Sequence, residues 1–183
     1  MITTDSLNEK NFFDSLRNQG RKLSGEWLES ETLGYNYRLN EMSCALGVSQ
    51  LKRIGGILKK RAAVAKEYGK MLSKISGVQT PFEKPGVERG WFVYVVRLDD
   101  GINRGRVMQK LNDRGVQSKP YLPAIHLQSF YRKRFGFKPG DFPVCESVSS
   151  STLALPFFTD ILKAQMESVC LELERAVAEE SRA

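Results

Sequence analysis

An amide and a guanidinium stand two residues apart in Gly34-Tyr35-Asn36-Tyr37-Arg38, set among a glycine and two aromatic rings. Asn36 can donate to a phosphate, and Arg38 can grip a phosphate or carboxylate with two parallel N–H groups. The helix expected just after them adds the positive end of its dipole, which also favours an anion. Anion binding is therefore the chemistry these residues suit. An ordinary polar loop before a helix has the same composition, and these five residues alone do not separate the two.

The second candidate is His126, the one histidine of the chain. It closes Tyr121-Leu122-Pro123-Ala124-Ile125-His126, a proline-stiffened loop of the kind that presents ligand contacts. A single histidine excludes a multi-histidine metal site. No spacing suggests a partner that would orient the ring, so as a general base His126 stands alone. Asp99-Asp100 falls in a turn, and Glu172 and Glu174 on a terminal amphipathic helix; both pairs are most simply solvated. Cys44, Cys145 and Cys170 are odd in number and widely spaced. That pattern, with no CxxC, argues against a disulfide framework or a zinc site. All three are expected to be reduced, small buried side chains. Neither a dinucleotide-binding glycine motif nor a phosphate-binding P-loop occurs.

The net charge of +7 favours anionic partners. Yet the charge is dispersed, and the densest clusters, Lys59-Lys60-Arg61 and Arg132-Lys133-Arg134, are too short for a nucleic-acid footprint. No apolar run approaches the ~20 residues that span a bilayer. The first residues, MITTDSLNEK, lack the basic and apolar regions of a signal peptide. The expectation is a cytoplasmic protein with no nucleic acid or membrane as partner.

The elements that position these residues follow from periodicity and punctuation. Ile2-Thr3-Thr4 has strand composition but is too short to stand without neighbours. Asp5 or Ser6 can cap a helix with Phe12, Phe13 and Leu16 inward, ended by Gly20. Residues 17–33, with Gly25 and Trp27, form a loop. From Leu39 the pattern is helical with two apolar faces, one carrying Leu39, Met42, Ala45 and Leu46 and the other Cys44, Val48, Leu51, Ile54 and Leu58. A helix apolar on two faces is expected to be buried on most sides. Gly55-Gly56 predicts a kink, so residues 40–76 make two helices or one bent one. Trp91–Leu98 is the strongest strand, apolar on both faces and so central. Asn103 caps a helix with Val107, Met108 and Leu111 inside. Val116-Gln117-Ser118 adds a second strand, which completes a small β–α–β unit. A short helix at Ser129–Phe135 and a turn at Lys138–Asp141 follow. Pro143 opens a helix through Thr152. Ile161–Ala178 closes the chain as a helix with Ile161, Met166, Val169, Cys170, Leu173 and Val177 inward.

Taken in order, several stretches resemble one family. They are Ser15–Arg21, Gly34–Gly47 (GYNYRLNEMSCALG) with Gln50-Leu51, and Trp91–Leu98. Gly115–His126 with Gln128 and Tyr131 comes next, then Gly136–Pro143 leading into Leu153-Ala154-Leu155-Pro156. Together they are similar to the pyridoxal-phosphate-dependent nucleotide-sugar aminotransferases of the DegT/DnrJ/EryC1/StrS type. Gly90 and Gly55-Gly56 depart from that pattern without touching the motifs.

The resemblance implies an α/β protein, the C-terminal part of an aspartate-aminotransferase-like fold of type I. Residues 1–39 would belong to the large cofactor-binding domain, 40–76 to bridging helices, and 77–183 to the small C-terminal α/β domain. It implies that the catalytic lysine precedes Met1 in the family's order, so no residue here is carried over as catalytic. Pyridoxal 5'-phosphate is the cofactor of the complete enzyme, and this chain alone is expected to bind none covalently and to be inactive. Asn36, with Arg38 close by, would reach the cofactor phosphate of a neighbouring subunit. Tyr121 and His126 would contact the nucleotide-sugar substrate. The implied partner is a second copy or a complementing aminotransferase chain. The alternative is a non-catalytic module that binds a nucleotide sugar or an intact aminotransferase.

Overall fold

The computed structural model describes residues 2–22 and 29–181. Gly25 and Trp27 of the expected loop lie outside the described residues. The chain divides into two compact units, Met1–Arg53 and Ile54–Ala183.

In the first unit, Ser6 takes an extended conformation and its Oγ accepts the Glu9 N–H at 3.3 Å, which opens α1 (Leu7–Arg17). Ile2–Thr4, strand-like in composition but too short to stand without neighbours, forms no strand among the described residues. The expected inward face of α1 is only partly realised. Phe13 and Leu16 are half-buried and Phe12 is exposed.

After α1 the chain reverses through Gln19 and Gly20, with φ of 65° and 73°. Gly20 N–H donates to the Ser15 carbonyl at 2.8 Å. The segment from Gly34 then lies against this reversal. Tyr35 N–H donates to Leu16 O at 2.7 Å, Gln19 N–H to Tyr35 O at 3.0 Å, and Tyr37 N–H to Arg17 O at 3.0 Å. The approach needs glycine. A Cβ on Gly34 would stand 2.1 Å from the Gly20 nitrogen.

Asn40 Oδ1 accepts the Ser43 N–H at 2.9 Å and starts α2 (Glu41–Leu72). The helix is continuous through Gly55-Gly56, so residues 41–72 make one helix rather than two. Glycine keeps both backbone hydrogen-bonding groups, so its cost of about 1 kcal/mol relative to Ala weakens the helix without opening the ladder. The predicted burial of the first half does not occur. Met42, Leu46, Val48 and Leu51 are all exposed.

The second unit holds the core. Four strands, β1 (Val78–Gln79), β2 (Tyr94–Leu98), β3 (Lys119–Pro120) and β4 (Thr152–Leu155), form a sheet in the order β1-β2-β4-β3, and every pair is antiparallel. The expected central strand forms as β2, starting at Tyr94 rather than Trp91. The expected β–α–β unit is split. β2 and β3 run parallel, joined through α3 (Arg104–Asp113), but β4 lies between them. β4 was not legible: Thr152 starts it rather than ending α5 (Pro143–Ser151). The second predicted strand begins later than expected, at Lys119, although Val116 and Ser118 are buried.

Asn103 caps α3, its Oδ1 accepting the Arg106 N–H at 3.1 Å, as its position predicted. Val107 and Leu111 are buried. On α6 (Lys163–Glu180), Met166, Val169, Cys170, Leu173 and Val177 are buried as the period required, and Ile161 just before it is buried too. Ion pairs join α3 to α6, with Lys110 3.0 Å from Glu180 and Arg114 2.7 Å from Glu179. The last turns of α2 close the core. Tyr68 is fully buried between Tyr94 and the Pro156 carbonyl, to which its hydroxyl donates at 2.9 Å. Burial pushes the phenols of Tyr68 and Tyr94 up, Tyr94 to about 12.

Candidate functional site

Elements of the second unit place the loop that carries Tyr121 and His126. β3 leads into it, and Thr152 of β4 ties it down by donating its hydroxyl to the Tyr121 carbonyl at 3.3 Å. Leu122 sits at φ 53°, a left-handed conformation that costs a non-glycine residue roughly 1–2 kcal/mol. A 3-10 turn, Ile125–Leu127, then carries His126, and α4 (Ser129–Phe135) follows, ended by Gly136 in the left-handed region. α5 is held to β2 by Arg97, which donates to Ser151 Oγ and Ser147 Oγ at 3.2 Å each.

Between this loop, α4 and α5 lies a cavity of about 880 Å³. Tyr121, Pro123, Ile125 and His126 line it from the loop, Tyr131 and Phe135 from α4, and Phe142, Cys145 and Val148 from the α5 side. The walls are mostly aromatic and aliphatic, with a few polar atoms from Tyr121, His126, Gln128, Ser149 and Thr152. Such a lining suits a ring-bearing ligand oriented by a few hydrogen bonds. The structure thus brings Tyr121 and His126 to one cavity.

His126 is 8% exposed. Phe142 and Phe137 meet its ring edge-on, with centroids 4.8 and 6.3 Å away. Its Nε2 lies 3.0 Å from Glu146 Oε1. The expectation that His126 lacks an orienting partner is therefore corrected. Glu146 follows 20 residues later, on α5, a separation at which no local pattern links the two. The Gly140 N–H, then His126 and the Phe142 N–H, hold the Glu146 carboxyl below its ordinary value of 4.5.

The cysteines divide. Cys170 is buried, and burial pushes its thiol up to about 11. Cys44 is half-buried, and Cys145 is exposed at the cavity wall, contrary to the expectation that all three are buried. Among the described residues no cluster of ligating side chains could hold a metal ion. No described helix is long and apolar enough to cross a membrane.

In the first unit, Tyr35 and Tyr37 stack on one side of the extended segment, with rings 4.9 Å apart and 10° from parallel. Side chains alternate along extended backbone, so Asn36 and Arg38 occupy the other side. Asn36 is anchored by a bridge to Asn18. Both side chains are exposed, and neither forms a hydrogen bond or ion pair among the described residues. A neighbouring cavity of about 980 Å³ is lined by Phe13, Leu16, Tyr35 and Tyr37, but not by Asn36 or Arg38. An unengaged amide and guanidinium on a fixed backbone fit the phosphate end of a cofactor.

A family model described as the DegT/DnrJ/EryC1/StrS aminotransferase family matches residues 1–174. The chain belongs to this family. Its aminotransferase relatives include the UDP-4-amino-4-deoxy-L-arabinose–oxoglutarate aminotransferase of Shewanella sediminis. That protein is 29% identical over 168 residues, which are 87% of this chain and 42% of the relative. The crystal structure of S. venezuelae DesV superposes with a TM-score of 0.82 at 26% identity, covering 94% of this chain and 45% of DesV. The PLP-form of Spr1654 from Streptococcus pneumoniae superposes with a TM-score of 0.85 over 98% of this chain and 46% of its own; at 19% identity it shows the shared fold. The chain spans about half the length of the curated relatives it matches. The fold is thus that of the C-terminal part of a pyridoxal-phosphate-type aminotransferase, α/β with a small antiparallel sheet.

Proposed function

We propose that this chain is the sugar-nucleotide-binding part of a cytoplasmic, pyridoxal-phosphate-dependent aminotransferase. The complete enzyme passes an amino group from a donor such as glutamate to a nucleotide-linked keto sugar. The single observation that carries the proposal is the aromatic cavity at Tyr121 and His126. Its ring faces can stack on a base or cover the apolar face of a sugar, and Tyr121 and His126 supply the hydrogen bonds that orient it. Its apolar walls keep water from the bound sugar.

Pyridoxal phosphate, when bound, supplies the electron sink for amino transfer. Asn36 and Arg38 would hold its phosphate, on a neighbouring subunit, by charge-assisted hydrogen bonds. That arrangement requires a dimer or a complementing aminotransferase chain. Residues 1–39 then serve the large domain, 40–76 bridge, and 77–183 form the small domain. The 183 residues by themselves are expected to bind substrate without transferring an amino group, because no lysine here stands in the family's cofactor-lysine context.

Calorimetric titration with a UDP-sugar tests the proposal. Binding should weaken at least about tenfold, or about 1.4 kcal/mol, in His126→Ala. A wild-type chain that binds no nucleotide sugar, or an Ala variant that binds equally well, refutes it.

A further inference from the structure

Glu146 stands outside the wall of the His126 cavity, yet it touches the ring that lines it. Its carboxylate is itself tightly held. Gly140 N–H donates to both oxygens, at 2.9 and 3.0 Å, and Phe142 N–H donates to Oε1 at 3.3 Å. These donors favour the ionised form, and an ionised carboxylate can only accept. The atom facing it, His126 Nε2, must then carry a proton. In an uncharged imidazole the other nitrogen is left as an acceptor. That nitrogen, Nδ1, has no protein partner among the described residues. Phe142 and Phe137, edge-on to the ring, restrict its rotation. Because Nε2 is turned to Glu146, Nδ1 is the polar atom the ring can offer a cavity ligand.

We propose that Glu146 is a positioning residue for this cavity: it fixes the proton of His126 on Nε2 and leaves Nδ1 as the hydrogen-bond acceptor presented to the ligand. In its uncharged form the ring then selects a hydroxyl or amide N–H at this point, rather than an anionic oxygen. A sugar hydroxyl or the N–H edge of a base has that chemistry, and a phosphate does not. The identity of the ligand rests on the sugar-nucleotide function proposed above; the proton's position does not.

His126 is the only histidine, so its ring nitrogens give unambiguous signals in protein labelled with 15N-histidine. In the uncharged ring of the ligand-free wild type, the Nε2–H tautomer is expected as a single species. Glu146→Gln should keep it, because a Gln carbonyl oxygen can accept the same N–H groups. Glu146→Ala should give both tautomers in exchange. An Nδ1–H tautomer in the wild type overturns the proposal, as does a folded Ala variant with an unchanged spectrum. Should the Ala variant fail to fold, the wild-type and Gln spectra decide. Added UDP-glucose should shift Nδ1 more than Nε2, and the reverse order overturns the proposal. If UDP-glucose moves neither signal while the Nε2–H tautomer holds, the sugar-nucleotide function fails and the positioning role of Glu146 stands.

Discussion

Helix α2 has the same apolar character at both ends and opposite environments. Toward its start, within the first unit, Met42 is 83% exposed, and Leu46, Val48 and Leu51 are exposed with it. Toward its end, within the second unit, Val64, Ala65, Tyr68 and Leu72 are buried. Hydrophobic periodicity states which face a helix would bury; whether anything covers that face depends on other segments. In the second unit, strands β2 and β4 and helices α3 and α6 supply the cover. In the first unit Gly20 is the only buried position among the described residues. Order there comes from backbone hydrogen bonds and the Gly20–Gly34 approach rather than from a core.

The largest effect that sharpens this contrast is Tyr68→Ala. It removes a fully buried ring and leaves the Pro156 carbonyl without its donor. The expected loss in urea unfolding of the second unit is about 3–5 kcal/mol. Met42→Ala should cost less than about 0.5 kcal/mol. Equal costs would break the comparison.

Gly34→Ala comes next. Its Cβ would collide with the Gly20 backbone, so it should destabilise the first unit by more than about 1 kcal/mol. Hydrogen exchange would show this as lost protection at the Tyr35 and Tyr37 amides, with the protection of the second unit unchanged.

The exposed start of α2 should also drive self-association. Met42→Lys combined with Leu46→Lys and Leu51→Lys is expected to weaken it at least about tenfold in sedimentation velocity. An unchanged distribution would show that this face is not the sticky one.

The smallest effect is electrostatic. The Glu146 carboxyl is depressed in the folded state, so its contribution to stability is full above its ordinary value of 4.5. It is lost as pH falls through the lower folded value. Glu146→Gln should flatten the acid limb of the second unit's stability profile, with little change near neutrality. A parallel acid limb in the variant would contradict this.

Much of the second unit was legible because its signals are local. The Asn103 cap, Pro143 at the start of α5 and the buried positions of α6 each follow from neighbours three or four residues away. β4 was hidden because Thr152-Leu153-Ala154-Leu155 directly follows a helix, with no turn residue between. At Ile2–Thr4 the outcome agrees with the length argument, since strand composition without a pairing partner makes no strand.

By itself the sequence determined the local grammar of this protein: its caps, its helical periods, the central strand β2, and the motifs that mark an aminotransferase of this family. It also pointed to the loop ending at His126. Only the tertiary structure decided that Glu146 meets His126, that β4 separates β2 from β3, and that the first turns of α2 stay uncovered. Each of these depends on which distant surfaces come together, and chain entropy and packing set that over tens of residues. Helix and turn propensities act over three or four.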